Sequence, residues 1–217
     1  MDIFPIMGEP LTTKNSVKMD FSPTNAGLEF IDLSDTRSFD AFVFDPIFSK
    51  GYTYGIGGYL EPRAIYTRSK VFATAEADFR NIHLGVDIWA AAGKPVFAPI
   101  SGTIFALHDN TGFGNYGPTI ILVHEHEGTT FYSLYGHLYL SDLEQLYVGQ
   151  EISAGMEFCH IGPYPENGDW PPHLHFQLML DMMGNTVDFP GVCSARELEK
   201  YRRICPDPNV ILQCELL

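Results

Sequence analysis

PTIILVHEHEGTTFYSLYGHL, residues 118–138, contains the clearest structural signal in the sequence. Its two halves are rich in β-branched and aromatic residues, which favour extended structure. Charged residues and a glycine separate the halves, and this pattern is typical of a hairpin. We therefore expect two antiparallel strands here, with the turn near Glu127 and Gly128.

Similar apolar runs begin at Ile82 and recur about every 8–12 residues, a spacing typical of short strands separated by turns. The sequence therefore predicts a mostly β protein, a sandwich or barrel of short antiparallel strands. The runs before the central hairpin are IHLGVDIW, KPVFAPI and GTIFALH.

The N-terminal part of the chain also has a β-like pattern, without a long helical period. Its glycine-dense segment GIGGY, residues 55–59, lacks the context of a phosphate-binding loop and predicts a mobile loop or a hairpin turn. The β-like runs in this part are VKMDF, LEFIDL, FDAFVFD and GYTYGIGGY.

Three segments are expected along the chain: a β-rich extension over residues 1–78, a core over residues 79–190 and a tail over residues 191–217. The tail contains the one convincing helical pattern, SARELEKYRR. Ser194 is its expected N-cap, and basic residues occupy its last turn.

Composition excludes several classes of protein. With 217 residues and 45% hydrophobic content, the chain can bury a core without disulfides. Its 13 lysines and arginines are outnumbered by 27 acidic residues, so its net charge of −14 disfavours nucleic acid as a partner. The 4 cysteines are irregularly spaced without a C-x-x-C motif, which favours buried free thiols.

The N-terminus MDIFPIMGEPLTTKNS lacks the basic and apolar regions of an export signal, and no later segment has the roughly 18 apolar residues of a membrane span. A cytoplasmic location without a membrane span is the resulting expectation. The oligomeric state is left open.

Two histidines one residue apart occur in HLHF, residues 173–176. In a strand, His173 and His175 point to one face and the apolar residues between and after them to the other. Two adjacent imidazoles repel when both are protonated, so metal binding would explain the pair. A lone H-x-H motif is weak evidence, because surface strands also contain such pairs.

His83 and Asp87 are four residues apart in HLGVD, and both residue types suit zinc. The carboxylate could bind a metal directly or orient a histidine, and the spacing does not separate these roles. The simpler alternative is a local hydrogen-bonded pair at a strand edge.

The other histidines give weaker signals. His137, in YGHL, would on its own be a half-buried histidine bonded to a carbonyl group. His126 is expected on a solvated hairpin, and His124 closer to any site. His108 and His160 are interpreted as structural.

Taken together and in this order, HLGVD, YGHL and HLHF resemble the lysostaphin-type zinc metallopeptidases, a family of peptidoglycan endopeptidases. The resemblance covers about residues 80–180. It also includes the connecting stretches KPVFAPISGTIFAL, GNYGPTIILVH and YVGQEISAGMEFCHIG.

The resemblance implies a barrel-sandwich core of the duplicated-hybrid-motif type and a zinc-dependent endopeptidase acting on a peptide or muropeptide. His83, Asp87 and His175 are then the zinc ligands, and His137 and His173 the catalytic histidines. Three protein ligands leave a position open for water, which zinc activates. The sequence has no H-E-x-x-H motif, so a histidine must act as the base; which of the two does so is open.

Two alternatives remain. A module of the same fold could bind zinc without catalysing hydrolysis. A cupin-like metal protein would need a glutamate shortly after the second histidine, where this chain has FQLML.

The chain also departs from the family in its Trp-Pro-Pro before HLHF, which leaves cleavage of glycine-rich cross-links open. Covering or gating the groove is a hypothesis for the first 75 residues.

Overall fold

A computed structural model of the chain describes residues 3–73 and 79–217. Most of its regular structure is strand, as the sequence predicted. The strands are β1 (Ser16–Lys18), β2 (Tyr54–Gly57), β3 (Ile82–His83), β4 (Val86–Trp89), β5 (Pro95–Phe97), β6 (Gly102–Asn110), β7 (Gly117–His126), β8 (Thr129–Gly136), β9 (Glu151–Ile152), β10 (Glu157–His160), β11 (His173–Met179) and β12 (Val192–Cys193).

The helices of the described residues are short and lie mainly at the two ends of the chain. The α-helices are α1 (Thr36–Phe48), α2 (Leu140–Leu143), α3 (Leu198–Ile204) and α4 (Asn209–Leu212). Three 3-10 helices span Ala26–Phe30, Ile65–Arg68 and Lys70–Phe72. In this described part of the chain, every helix falls short of the length and apolar character that a membrane span requires.

One eight-stranded sheet dominates the fold, in the order β1-β2-β4-β11-β8-β7-β6-β9. Two smaller sheets pair β10 with β5 and β12 with β3. Within residues 3–73 and 79–217 the strands form open sheets and not a closed barrel. The prediction of a mostly β fold is confirmed, and the described strands form open sheets instead of a closed barrel.

The predicted hairpin is formed by β7 and β8. Glu127 and Gly128 connect the strands with φ angles of 50° and 76°. Two consecutive positive φ angles are typical of the type I′ turn, whose twist matches that of the flanking strands. The predicted turn position is therefore confirmed.

The main hydrophobic core lies on one face of the large sheet. Val86, Ile88, Leu174 and Phe176 are fully buried there. Because strand side chains alternate between faces, the residues between them point to the opposite face. That opposite face contains the candidate site residues.

The N-terminal extension joins the core sheet directly. β2 pairs antiparallel with β4, and β1 pairs parallel with β2. The extension therefore adds two strands to the core sheet. The predicted boundary at residue 78 lies outside the described residues, and the three-segment division stays a prediction.

The β-like interpretation of LEFIDL and FDAFVFD is wrong. Residues 26–30 form a 3-10 helix, and FDAFVFD lies within α1. The buried residues Phe39, Val43 and Ile47 recur at helical spacing, and together with Phe21 they pack against Trp89 and Trp170 in a second core cluster. The side chain of Asp35 caps α1 by accepting from the Arg37 N–H at 3.2 Å.

The prediction of a loop or turn for GIGGY is also wrong, because β2 includes its first three residues. Glycine fits this strand since other groups approach its backbone closely. A Cβ atom at Gly55 would lie 2.7 Å from Ile47 Cδ1, and one at Gly57 would lie 2.6 Å from Arg63 Nη2.

The predicted C-terminal helix exists but starts later than expected. α3 begins at Leu198, and its N-cap position is Glu197. Ser194 is not the N-cap; its carbonyl accepts from the Glu197 N–H in a turn that precedes the helix. The 4 cysteines are free and buried, as their spacing indicated.

Candidate metal centre and active site

Strand register brings the candidate residues onto one face of the large sheet. β11 lies between β4 and β8. His175 is opposite Asp87 on one side and Gly136 on the other, and His173 is opposite Trp89. The predicted common face of the two HLHF histidines is therefore confirmed.

His83 reaches the same place from β3, across a bend that contains Gly85. A Cβ atom at Gly85 would lie 2.7 Å from the Phe176 carbonyl oxygen and 2.8 Å from Cε1 of His175. Only glycine allows this close approach of the bend to β11.

Three potential metal ligands converge beneath this bend. His83 Nε2 lies 2.9 Å from His175 Nδ1, and Oδ1 of Asp87 lies 3.2 Å and 3.1 Å from those two nitrogens. The three residues are fully buried and form a cluster that could hold a metal ion. His83 and Asp87 are thus more than a local pair, because His175 completes a triangle with them.

Hydrogen bonds to fixed acceptors determine where the ring protons lie. His83 Nδ1 donates to the Gly58 carbonyl at 3.0 Å. His175 Nε2 donates at 3.0 Å to Oε1 of Gln177, whose amide nitrogen in turn donates to the Pro190 carbonyl. In the neutral form of each ring, the proton is therefore on the outer nitrogen, the one that faces away from the cluster. This is Nδ1 in His83 and Nε2 in His175.

The inner nitrogens of His83 and His175 consequently point lone pairs at each other and at the carboxylate. Such an arrangement is unfavourable without a cation between the groups, and favourable with one. Two imidazole nitrogens and one carboxylate oxygen form a common ligand set for catalytic zinc. The donor set therefore fits the zinc ion that the sequence predicted.

The protonation states also fit metal binding, which needs neutral imidazoles and an ionised carboxylate. Burial lowers the pKa of His83 to about 4. Burial by itself would raise the pKa of Asp87, but His83 and Arg63 hold that pKa well below its ordinary range. At neutral pH His83 and Asp87 are therefore already in their metal-binding forms, the neutral imidazole and the ionised carboxylate.

The two candidate catalytic histidines lie beside the cluster. Their rings are 4.2 Å apart between centroids, and His173 Nε2 lies 3.9 Å from Oδ2 of Asp87. His137 Nδ1 donates to the Asn167 carbonyl at 2.8 Å, and His173 Nδ1 donates to the Pro171 carbonyl at 2.7 Å. Both rings therefore keep an unprotonated Nε2 that can accept a proton.

Each of these two histidines is held by its surroundings. The Trp89 ring stacks on His173 with a centroid distance of 3.9 Å. His137 has a φ angle of 64°, in the left-handed region that non-glycine residues seldom adopt. Its N–H donates to Tyr116 and its carbonyl accepts from Gly162, both through the backbone. These bonds hold the strained conformation, which is a feature often found at functional sites.

A cavity of about 60 Å³ opens over these side chains, large enough for water molecules. Asp87, His137, His173 and His175 line it. Residues of the N-terminal extension also line it, namely Arg63, Ile65, Tyr66 and Phe72.

Comparison with known families places this site in context. The sequence model of Peptidase family M23 matches residues 81–189, which is half of the 217-residue chain. The chain belongs to Peptidase family M23. The M23 region contains the three clustered residues and both neighbouring histidines, while the extension that lines the cavity lies before it.

Solved structures of peptidases resemble the chain. The lysostaphin catalytic domain from Staphylococcus simulans is 27% identical with a TM-score of 0.40, covering 61% of this chain and 80% of that one. The solution structure of lysostaphin is 26% identical with a TM-score of 0.41, covering 68% and 50%. A zinc-containing peptidase from Vibrio cholerae is 22% identical with a TM-score of 0.37, covering 49% and 29%.

The chain spans less than a third of the length of the Vibrio cholerae peptidase and half of the lysostaphin chain studied in solution. No curated protein matches the chain.

The remaining histidines do not join the cluster. His124 is buried and bonded to the Ser101 carbonyl at 2.8 Å and to the Ser133 hydroxyl at 2.7 Å. His126 is exposed at the end of the hairpin, as expected. His160 is half-exposed beside Asp142 and Glu157.

Sequence reasoning missed several residues that lie at the candidate site. Gln177 is two residues beyond His175 on the same strand face, so the alternation that paired the histidines could have included it. Trp89 likewise follows Asp87 by two residues on β4. Arg63 and Tyr116 come from other segments, and no local pattern in the sequence indicates them.

Proposed function

We propose that this M23 chain is a zinc-dependent endopeptidase that hydrolyses a peptide amide bond in peptidoglycan cross-links or a related peptide. The observation that carries the proposal is the pair of imidazoles beside the metal-ligand cluster, each with its Nδ1 bonded to a backbone carbonyl and its Nε2 unprotonated. A bound zinc ion would supply Lewis acidity to the scissile carbonyl and to water.

The two imidazoles can serve the proton transfers of amide hydrolysis. One Nε2 accepts a proton of the attacking water, and the same proton reaches the leaving amine either from that ring or from the neighbouring imidazole after transfer between the two rings. Burial lowers the pKa of His173 to about 4 and that of His137 well below its ordinary value, so both rings are neutral when substrate arrives. Either histidine satisfies the geometry of the base.

The carbonyl groups of Asn167 and Pro171 keep both rings oriented toward the cavity. Because the acceptors are backbone atoms of a buried segment, the rings cannot rotate without losing a hydrogen bond. Pre-organisation of this kind favours catalysis over simple metal storage.

A catalytically inactive zinc-binding module of the same fold is the alternative function. Its specific support is that apolar and aromatic residues of the extension, Ile65, Tyr66 and Phe72, line the cavity of about 60 Å³ over the site. Both functions require the same three ligands.

Turnover by purified, zinc-loaded protein distinguishes the two functions. The substrates are a panel of peptides and of muropeptides with different cross-links, with product formation followed by mass spectrometry. An endopeptidase gives new amino termini that disappear when the zinc is chelated. Stoichiometric zinc without cleavage of any panel member would contradict the proposal and favour the inactive module.

A further inference from the structure

Arg63 connects the N-terminal extension to the metal-ligand cluster. Its side chain is 1% exposed, and its Nη1 donates to Oδ2 of Asp87. Its Nε donates to Oε2 of Glu61 at 2.8 Å. The guanidinium therefore bridges a carboxylate of the extension and a carboxylate of the M23 region.

The two oxygens of Asp87 consequently have different partners. Oδ1 faces the inner nitrogens of His83 and His175, and Oδ2 is occupied by Arg63. A carboxylate held in this way presents one oxygen to a metal ion and is fixed against rotation about its terminal torsion. Without the guanidinium, Oδ2 would be a buried acceptor, and among the described residues its remaining polar neighbour would be His173 Nε2 at 3.9 Å.

A space for the guanidinium is built into the fold. Gly57 leaves room beside it, since a Cβ there would lie 2.6 Å from Arg63 Nη2. The Phe21 and Tyr66 rings flank it, with Arg63 Cζ 5.5 Å and 5.9 Å from their centroids.

Charge balance indicates what the guanidinium does. A cation beside a metal ligand would by itself oppose metal binding through repulsion. Glu61, which lies in an ion pair with Arg63, offsets that positive charge. The orientation of the Asp87 carboxylate is therefore the larger effect, as it is for hydrogen-bond partners of metal ligands in general.

We propose that Arg63 is a positioning residue for the metal ligand Asp87, so that the N-terminal extension completes the zinc site of the M23 region. The proposal rests on the metal-binding part of the proposed function and does not require peptidase turnover. Through Arg63, the extension affects zinc affinity.

Zinc dissociation constants, measured by competition with a chromophoric chelator, test the proposal in the full-length chain. Arg63→Gln should bind zinc about 10–100-fold more weakly than wild type, and Arg63→Lys should recover part of the loss. Arg68→Gln is the matched control, since Arg68 is a buried arginine of the same segment that bonds Thr36. It should keep wild-type affinity.

A second measurement separates positioning from a general structural effect. The visible spectrum of the cobalt(II)-substituted protein reports ligand geometry, and it should change in Arg63→Gln but not in Arg68→Gln. Gly57→Ala, whose added Cβ would push on the guanidinium, should also weaken zinc binding. If Arg63→Gln does not fold, the zinc affinities of Gly57→Ala and Arg63→Lys test the positioning role in its place.

Wild-type zinc affinity and an unchanged cobalt spectrum in the folded Arg63 variants would overturn the positioning role. Failure of the wild type itself to bind zinc would overturn the proposed function as well. Tight zinc binding in the wild type without turnover would contradict the peptidase proposal alone and leave the role of Arg63 standing.

Discussion

His83 Nε2 and His175 Nδ1 face each other at 2.9 Å, and the proton of each ring is on the opposite nitrogen. Two lone pairs at this distance repel, and Oδ1 of Asp87 adds a negative charge to the same point. The fold therefore holds three electron-rich atoms together in an arrangement that a cation would relieve.

Zinc should accordingly stabilise the folded protein. At a free zinc concentration 1,000 times the dissociation constant, the free energy of unfolding rises by about 4 kcal/mol. For a chain of this size this corresponds to an increase in Tm of about 8–16 °C. Thermal denaturation with zinc and with excess chelator measures the difference. Identical melting curves under both conditions would contradict a zinc site.

Removing either candidate catalytic imidazole should reduce turnover while leaving zinc bound. His173→Ala and His137→Ala should each lower kcat by about 10²–10⁴-fold, the usual contribution of a positioned acid or base. His126→Ala, at an exposed position on the hairpin, is the control and should keep wild-type kcat. If His173→Ala and His137→Ala retain full activity, the hypothesis that these rings transfer protons during hydrolysis is wrong.

Alternation along strands made much of this site predictable. A period of two placed His173 and His175 on one face, and the structure confirms it. The β7–β8 turn followed equally from local residue types. The convergence of HLGVD and HLHF required pairing between distant segments, and the family resemblance supplied it.

The failures have physical causes as well. FDAFVFD alternates like a strand over its short length, but the longer spacing of Phe39, Val43 and Ile47 is helical, and packing against Trp89 and Trp170 favours the helix. The role of Arg63 depends on a tertiary contact with Asp87, for which a single sequence contains no local signal.

Gly85→Ala should damage the site without touching a ligand. The added Cβ would lie 2.7 Å from the Phe176 carbonyl and 2.8 Å from the His175 ring, so the bend or β11 must shift. We expect a loss of about 1–3 kcal/mol in the free energy of unfolding and weaker zinc binding.

Gly58→Ala is the matched control for that variant, because its Cβ would meet Glu61 Cβ at an ordinary 3.8 Å. Urea denaturation and zinc titration of both variants provide the comparison. Equal stability and zinc affinity in the two variants would show that close packing at Gly85 is unimportant.

His124 should make the metal-free protein less stable in acid. Burial lowers its folded-state pKa below the ordinary value of 6.5, so the unfolded chain binds the extra proton first. The stabilising contribution is present above pH 6.5 and is lost as pH falls toward the folded pKa, by at most about 1.4 kcal/mol per pH unit.

The slope of unfolding free energy against pH, between pH 7 and 5, tests this effect by urea denaturation. His124→Gln should have a smaller slope than wild type, whatever its stability at neutral pH. A slope unchanged by the substitution would exclude a contribution from His124.

The central claim is that His83, Asp87 and His175 hold zinc while His173 acts beside it. Metal content of purified wild type, His175→Ala and His173→Ala, measured by mass spectrometry after dialysis against zinc, tests this division most directly. We expect one zinc per chain in the wild type and in His173→Ala, and loss of zinc in His175→Ala. Equal zinc content in the two variants would contradict it.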